Sequence, residues 1–129
     1  MLLGSWHCWK KVSNSSDLDK LYRACQNAFA PDGRLAQSIE GFSTRDAQVV
    51  LAKAIVNAIV NKSVLVAEAG TGTGKTFAYL IPGLLSGKKI LVSTATKTLQ
   101  DQLYQKDLPI LKKALGLSAR VVNLKGRSN

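Results

Sequence analysis

The chain has 129 residues, 46% of them apolar, which is enough for one domain with a real core and excludes a disordered tail. Its longest apolar runs, such as Val64 to Ala67 and Ile90 to Val92, fall far short of the roughly 20 residues of a membrane span, and its first residues have no basic start and no sustained apolar stretch, so a cytoplasmic protein without a membrane partner is expected. The formal charge is +10, and residues 88 to 129 hold nine Lys or Arg against only Asp101 and Asp107; such a field draws polyanions, although charge alone does not separate a nucleic-acid surface from a solvated face.

Residues 1 to 15 mix Trp6, Trp9, Lys10, Lys11 and a Ser/Asn cluster without a period, and predict a poorly ordered extension. From Ser16, a candidate cap, Leu18, Leu21, Tyr22, Cys25 and Phe29 recur at helical spacing until Pro31-Asp32-Gly33 breaks the run. A short helical turn follows from Arg34 to Ile39. Thr44 then stands where a cap belongs, and Ala47, Val50, Leu51, Ala54, Ile55, Ala58 and Ile59 mark one apolar face of a helix from about Arg45 to Asn61. Val64-Leu65-Val66-Ala67 is a continuous apolar run, as a strand buried on both faces of a parallel sheet would be. A glycine-rich loop comes next, then a helix from Lys75 to about Leu85 with Pro82 late in it. A second strand is expected at Lys89 to Thr94, helical segments from Lys97 to Gly116 broken near Pro109, and a third strand near Arg120 to Leu124. Strands spaced by helices imply βαβ crossovers, so the expected fold is α/β, a parallel sheet flanked by helices. Cys8 and Cys25 are too few for a disulfide framework, and no ligand set for a metal accompanies them.

The loop Ala69-Gly70-Thr71-Gly72-Thr73-Gly74-Lys75-Thr76 carries the chemistry. A triphosphate crowds negative oxygens together, so its holder must aim many donors at one point with no side chains in the way. Gly70, Gly72 and Gly74 allow that approach, Thr71 and Thr73 lie between them, and the following helix offers the positive end of its dipole. Lys75 supplies an ammonium to the β- and γ-phosphates, and the Thr76 hydroxyl is placed to ligate Mg²⁺, so both are the expected catalytic residues and ATP the expected nucleotide. Ala69 stands where the strict pattern G-x-x-x-x-G-K-[ST] has glycine. Glu68 reads equally as a partner of Lys75 or as a strand residue, and is assigned no role.

The segment Glu68 to Thr76, followed by Ser93-Thr94-Ala95-Thr96-Lys97-Thr98-Leu99-Gln100-Asp101-Gln102-Leu103 and by Leu124-Lys125-Gly126-Arg127-Ser128-Asn129, resembles the DinG/YoaA branch of the XPD-like superfamily 2 DNA helicases over about residues 29 to 129. The resemblance implies a P-loop NTPase (RecA-like) motor domain, of which residues 16 to 129 would be the N-terminal part. It implies that an aromatic and a glutamine upstream hold the adenine, and Phe42, Arg45 and Gln48 fall at the matching places. A glutamine amide can exchange two hydrogen bonds with an adenine edge. The competing reading makes Phe42 core and Gln48 an exposed helix residue. The resemblance further implies that the second block grips single-stranded DNA or DNA junctions through Thr94, Thr96, Lys97 and Gln102, where hydroxyls and a helix start suit a phosphodiester; the plain alternative is that Thr96 is only a helix cap. The Lys125 to Asn129 block would lead into an iron–sulfur cluster whose cysteines this chain lacks.

Phosphoryl transfer to water needs carboxylates for Mg²⁺ and for the attacking water, commonly as an acidic pair. The eight acidic residues here, Asp17, Asp19, Asp32, Glu40, Asp46, Glu68, Asp101 and Asp107, include no adjacent two. The expectation is therefore the ATP-binding part of a 5′ to 3′ DNA helicase of repair or replication, a fragment turning over ATP poorly by itself. A small P-loop phosphotransferase and a non-catalytic nucleotide- or DNA-binding module are the alternatives.

Overall fold

The computed structural model describes residues 15–70, 72 and 74–125. The expected extension at residues 1 to 15 falls outside them except for Ser15. The order of elements is α1 (Ser15–Phe29), α2 (Arg34–Ser38), α3 (Asp46–Asn61), α4 (Lys75–Leu85), α5 (Lys97–Gln102), a π-helical turn (Leu103–Asp107) and α6 (Leu108–Leu115). Two helices stop where the sequence supplies a plain reason. Pro31-Asp32-Gly33 turns the chain after α1, and Gly116 closes α6 at φ 65°. The interruption expected near Pro109 is the π-helical turn, which continues in helical backbone into α6, where Pro109 lies in the first turn.

The core lies among the helices. Leu21, Cys25, Ala28 and Phe29 of α1 meet Leu35 of α2, Ala52 and Val56 of α3, Leu80 and Ile81 of α4, and Leu111, Ala114 and Leu115 of α6. Each fully buried leucine or isoleucine contributes about 1.5–3 kcal/mol relative to exposure. The Arg34 guanidinium donates to the Leu115 carbonyl at 2.7 Å, placing a cation on the negative end of α6 and joining α2 to it. The apolar face of α3 is offset from the one read in the sequence. Gln48, Ala52 and Val56 are buried whereas Ala47 and Val50 are exposed, because nearly the whole circumference of this helix is apolar and periodicity alone cannot orient it. The N-cap of α3 is Arg45; the Thr44 hydroxyl instead donates to the Phe29 carbonyl at 2.6 Å, tying the start of α3 to the end of α1.

The parallel sheet expected from the sequence, and with it the α/β class, is not what the structure shows: among the described residues there is no strand and no ladder. The three segments read as strands carry neither helix nor pairing. Burial reverses as well, since Val64 is 92% exposed, Val66 93% and Leu91 86%. The physical reason is that β-branched composition specifies a preference, while a strand exists only when a neighbour takes up its backbone N–H and C=O groups. The second of these segments packs against α4. A Cβ on Gly83, in the last turn of α4, would stand 3.0 Å from the Ile90 methyl, so the missing side chain is what lets Ile90 lie against the helix.

Candidate nucleotide site

The phosphate loop runs from Ala69 into α4. Gly74 is the N-cap at φ 73°, in the left-handed region, and its carbonyl starts the helix by accepting from the Ala78 N–H at 3.3 Å. Gly72 has the same φ. Thr71 and Thr73 lie outside the described residues. Lys75 is exposed, and its ammonium bends back over the loop to donate to the Ala69 carbonyl at 2.5 Å and the Gly70 carbonyl at 3.0 Å. Those partners are neutral dipoles. A phosphate oxygen carries full charge and makes the stronger, charge-assisted bond, so an arriving triphosphate would exchange them.

Thr76, next along α4, shares a side-chain hydrogen bond with Tyr79 one turn on. The Tyr79 phenol is raised above its ordinary range chiefly by burial; the Thr76 bond opposes the shift and the charge of Asp107 adds to it. The Thr76 hydroxyl is thus tied to Tyr79, a link that sequence reasoning missed. Its signal was the lone hydroxyl of Tyr79, one turn from Thr76 in an otherwise apolar helix. Among the described residues no group of three or more His, Cys, Asp or Glu could hold a metal ion. An iron–sulfur cluster does not fit these residues: Cys25 is buried in the helical core, where burial pushes its thiol up to about 11, and a cluster takes thiolates.

Of the three upstream residues, Arg45 and Gln48 come to the loop, whereas Phe42 packs on α4 against the hydrophobic core. The Phe42 ring stacks on Phe77 of α4 with centroids 6.0 Å apart and planes 23° from parallel. Arg45 reaches Gly72: a Cβ built there would lie 3.9 Å from the guanidinium. Gln48 is only 5% exposed, which removes the reading of it as an exposed helix residue. Its Oε1 accepts from the Arg45 N–H at 3.1 Å, and its Nε2 donates to the Gly74 carbonyl at 3.3 Å.

The second block is held differently. Thr96 caps α5, its hydroxyl accepting from the Leu99 N–H at 3.2 Å, and the Thr94 hydroxyl donates to the Thr96 carbonyl at 3.2 Å. Gln102 donates to Asp107 at 3.4 Å, whereas Lys97 is exposed. Two neighbours outside the expected set join this block to the third. Gln100 donates to the Leu124 carbonyl at 2.7 Å, and Asp101 pairs with Lys125 at 2.7 Å. No helix of the described residues is long and apolar enough to cross a membrane.

Comparison with known proteins supplies the family. The chain is 55% identical over 103 residues, 80% of its length, to the ATP-dependent DNA helicase YoaA of Haemophilus influenzae, and 55% identical over 101 residues, 78% of its length, to the YoaA of Escherichia coli. It is 34% identical over 99 residues, 74% of its length, to the 3'-5' exonuclease DinG of Bacillus subtilis. The matched part spans 16% of each YoaA and 11% of that DinG. No solved structure matches. The family model described as DEAD/DEAH box helicase matches residues 49–129, more than half of the chain, and the chain belongs to that family.

Proposed function

We propose that this chain is the ATP-binding part of an ATP-dependent DNA helicase, holding the triphosphate with the N–H groups of residues 69–74, the Lys75 ammonium and, through Mg²⁺, the Thr76 hydroxyl. The observation that supports it is the placement of Lys75 across the loop mouth, on two carbonyls that an anion would replace. Phe42 and Arg45 lie on the α3 side of the loop, where a base and sugar would rest. The relatives named YoaA supply DNA as the polymer, and the basic excess of residues 88 to 129 suits it. In this reading Thr94, Thr96, Lys97 and Gln102 face one strand of DNA, with Lys97 the exposed cation among them. The 5′ to 3′ polarity and the role in repair or replication rest on the resemblance to the DinG/YoaA branch.

Mg²⁺, held through the Thr76 hydroxyl, would supply charge neutralisation to the triphosphate. The chain's own residues orient the phosphates and hold them against α4. With no adjacent acidic pair in the sequence, turnover by these 129 residues is slow even where binding is intact. The test is titration of a fluorescent ATP analogue with Mg²⁺ present. Lys75→Ala should weaken binding at least about tenfold, the size of a lost charge-assisted bond, with unchanged helical circular dichroism. Equal affinities of the two proteins would remove the phosphate-loop role.

A further inference from the structure

We infer that Lys125 is a phosphate contact of the single-stranded DNA surface, and that Asp101 is the anion that occupies it until a phosphodiester takes its place. The inference rests on the DNA reading above and adds to it a cation and a competitor outside the expected set of Thr94, Thr96, Lys97 and Gln102.

Three observations carry it. First, acidic side chains are scarce where the basic charge is densest. Residues 88 to 129 hold nine Lys or Arg and two carboxylates, and one of the two, Asp107, is only 7% exposed, with the Gln102 amide donating to it at 3.4 Å. Asp101 is thus the acidic charge that this basic surface presents to a polyanion. Second, that charge is committed to one lysine. The Lys125 ammonium stands 2.7 Å from Oδ1, an oxygen closed to water, and the amide of the neighbouring Gln100 donates to the Leu124 carbonyl at 2.7 Å. Two consecutive residues of α5 therefore seat two consecutive residues at the end of the described chain, which makes the pair a fixed placement and not a chance meeting of long side chains. Third, the pair shares a helix face with the exposed cation of the second block. Lys97 precedes Asp101 by four residues in α5, so both lie on one side of it, and Lys125 extends that side into a row of cation, anion and cation.

The strength of the pair decides what it can do. The Lys125 side chain is 50% exposed and that of Asp101 36%, so water and salt screen the attraction, and such a pair holds weakly. A single strand offers phosphate after phosphate and sheds condensed counterions as each is neutralised, a gain that a lone carboxylate does not provide. The ammonium therefore passes to the strand, while Asp101, already partly in water, turns to solvent and takes up a counterion.

The experiment measures the affinity of a fluorescent oligothymidylate as a function of salt for the wild-type chain, Asp101→Asn, Lys125→Gln, the double variant and Glu40→Gln. The last removes an exposed acidic charge elsewhere and reports the effect of net charge alone. Helical circular dichroism checks that each variant is folded, and Asp101→Ser repeats the test where the asparagine folds poorly. The expected result is a gain of about threefold to fivefold for Asp101→Asn, the range of an exposed ion pair. Its salt slope should steepen by up to about 0.7, because a phosphate is neutralised with no counterion taken up at position 101. Lys125→Gln should lose affinity, and adding Asp101→Asn to it should gain no more than Glu40→Gln does. An equal gain from Asp101→Asn with and without Lys125, a gain no larger than that of Glu40→Gln, or an unchanged affinity in Lys125→Gln would each overturn the inference and leave the DNA surface standing. Absence of oligothymidylate binding in every one of these proteins would bring down the DNA reading itself, and the inference with it.

Discussion

The helices and the three segments once expected as strands are made from similarly apolar sequence, yet one set is buried and the other is not. Ile81 and Leu111 are fully enclosed, while Val64, Val66 and Leu91 stand open to water. The difference follows from where backbone hydrogen bonds are made. A helix satisfies its own amides and needs only a partner for one face, so α1, α3, α4 and α6 can assemble a core among themselves. A strand satisfies nothing alone, and an apolar run with no adjacent strand stays solvated however strongly its residues favour β structure. In this chain the helices carry the stability, and the segments that flank the phosphate loop carry little of it.

The largest effect that tests this division is a cavity in the helical core. Ile81→Ala and Leu111→Ala should each lower the unfolding free energy by about 2–5 kcal/mol, whereas Val66→Ala and Leu91→Ala should stay within about 0.5 kcal/mol. Urea denaturation with matched slopes measures both sets. Comparable losses at Leu91 and Ile81 would show that the unpaired segments are buried in solution and would erase the contrast.

A smaller effect is tied to pH. Burial pushes the Cys25 thiol up to about 11, while in the unfolded chain a thiol ionises near about 8.5. Between those values the unfolded chain has lost a proton that the folded chain keeps, so stability falls as pH rises; below that window the thiol adds no pH dependence. The loss accumulates to an order of 2–3 kcal/mol at the upper end. Comparing the slope of stability against pH in Cys25→Ala isolates the thiol from the lysines and tyrosines common to both proteins. Parallel slopes above pH 9 would mean that Cys25 meets solvent and that α1 is loosely docked.

How much of this was legible in the sequence divides along the same line. The α1, α2 and α4 helices, the Thr96 cap and the phosphate loop are local features, written in caps, breakers and spacing over a few residues. Phe42, Arg45 and Gln48 were singled out only through the family resemblance; periodicity gave no sign that Arg45 and Gln48 lie against the loop. The sheet was misread because a run such as Val64 to Ala67 encodes a preference and says nothing about whether a neighbour is present. The face of α3 was misread because Ala47, Val50, Ala52 and Val56 are all apolar and only packing chooses among them. The commitment of the Gln48 amide to Gly74 spans 26 residues and leaves no periodic trace.

The smallest effect concerns a place where an unpaired segment is fastened to a helix by an ion pair. Asp101 of α5 pairs with Lys125 at 2.7 Å, and Gln100 beside it holds the Leu124 carbonyl. Both charged side chains are substantially exposed, so water and salt screen the pair, and Asp101→Asn should change global stability by less than about 1 kcal/mol. Its local consequence is larger, because little else in the secondary structure holds residues 117 to 125. Cleavage by a protease specific for basic residues should therefore speed at Arg120 in Asp101→Asn while sites in α3 stay protected, and adding salt to the wild-type chain should move it part of the way toward the variant. If cleavage at Arg120 is indifferent to both the substitution and the salt, the ion pair does not fasten the segment, and contacts such as the Gln100 bond must hold it.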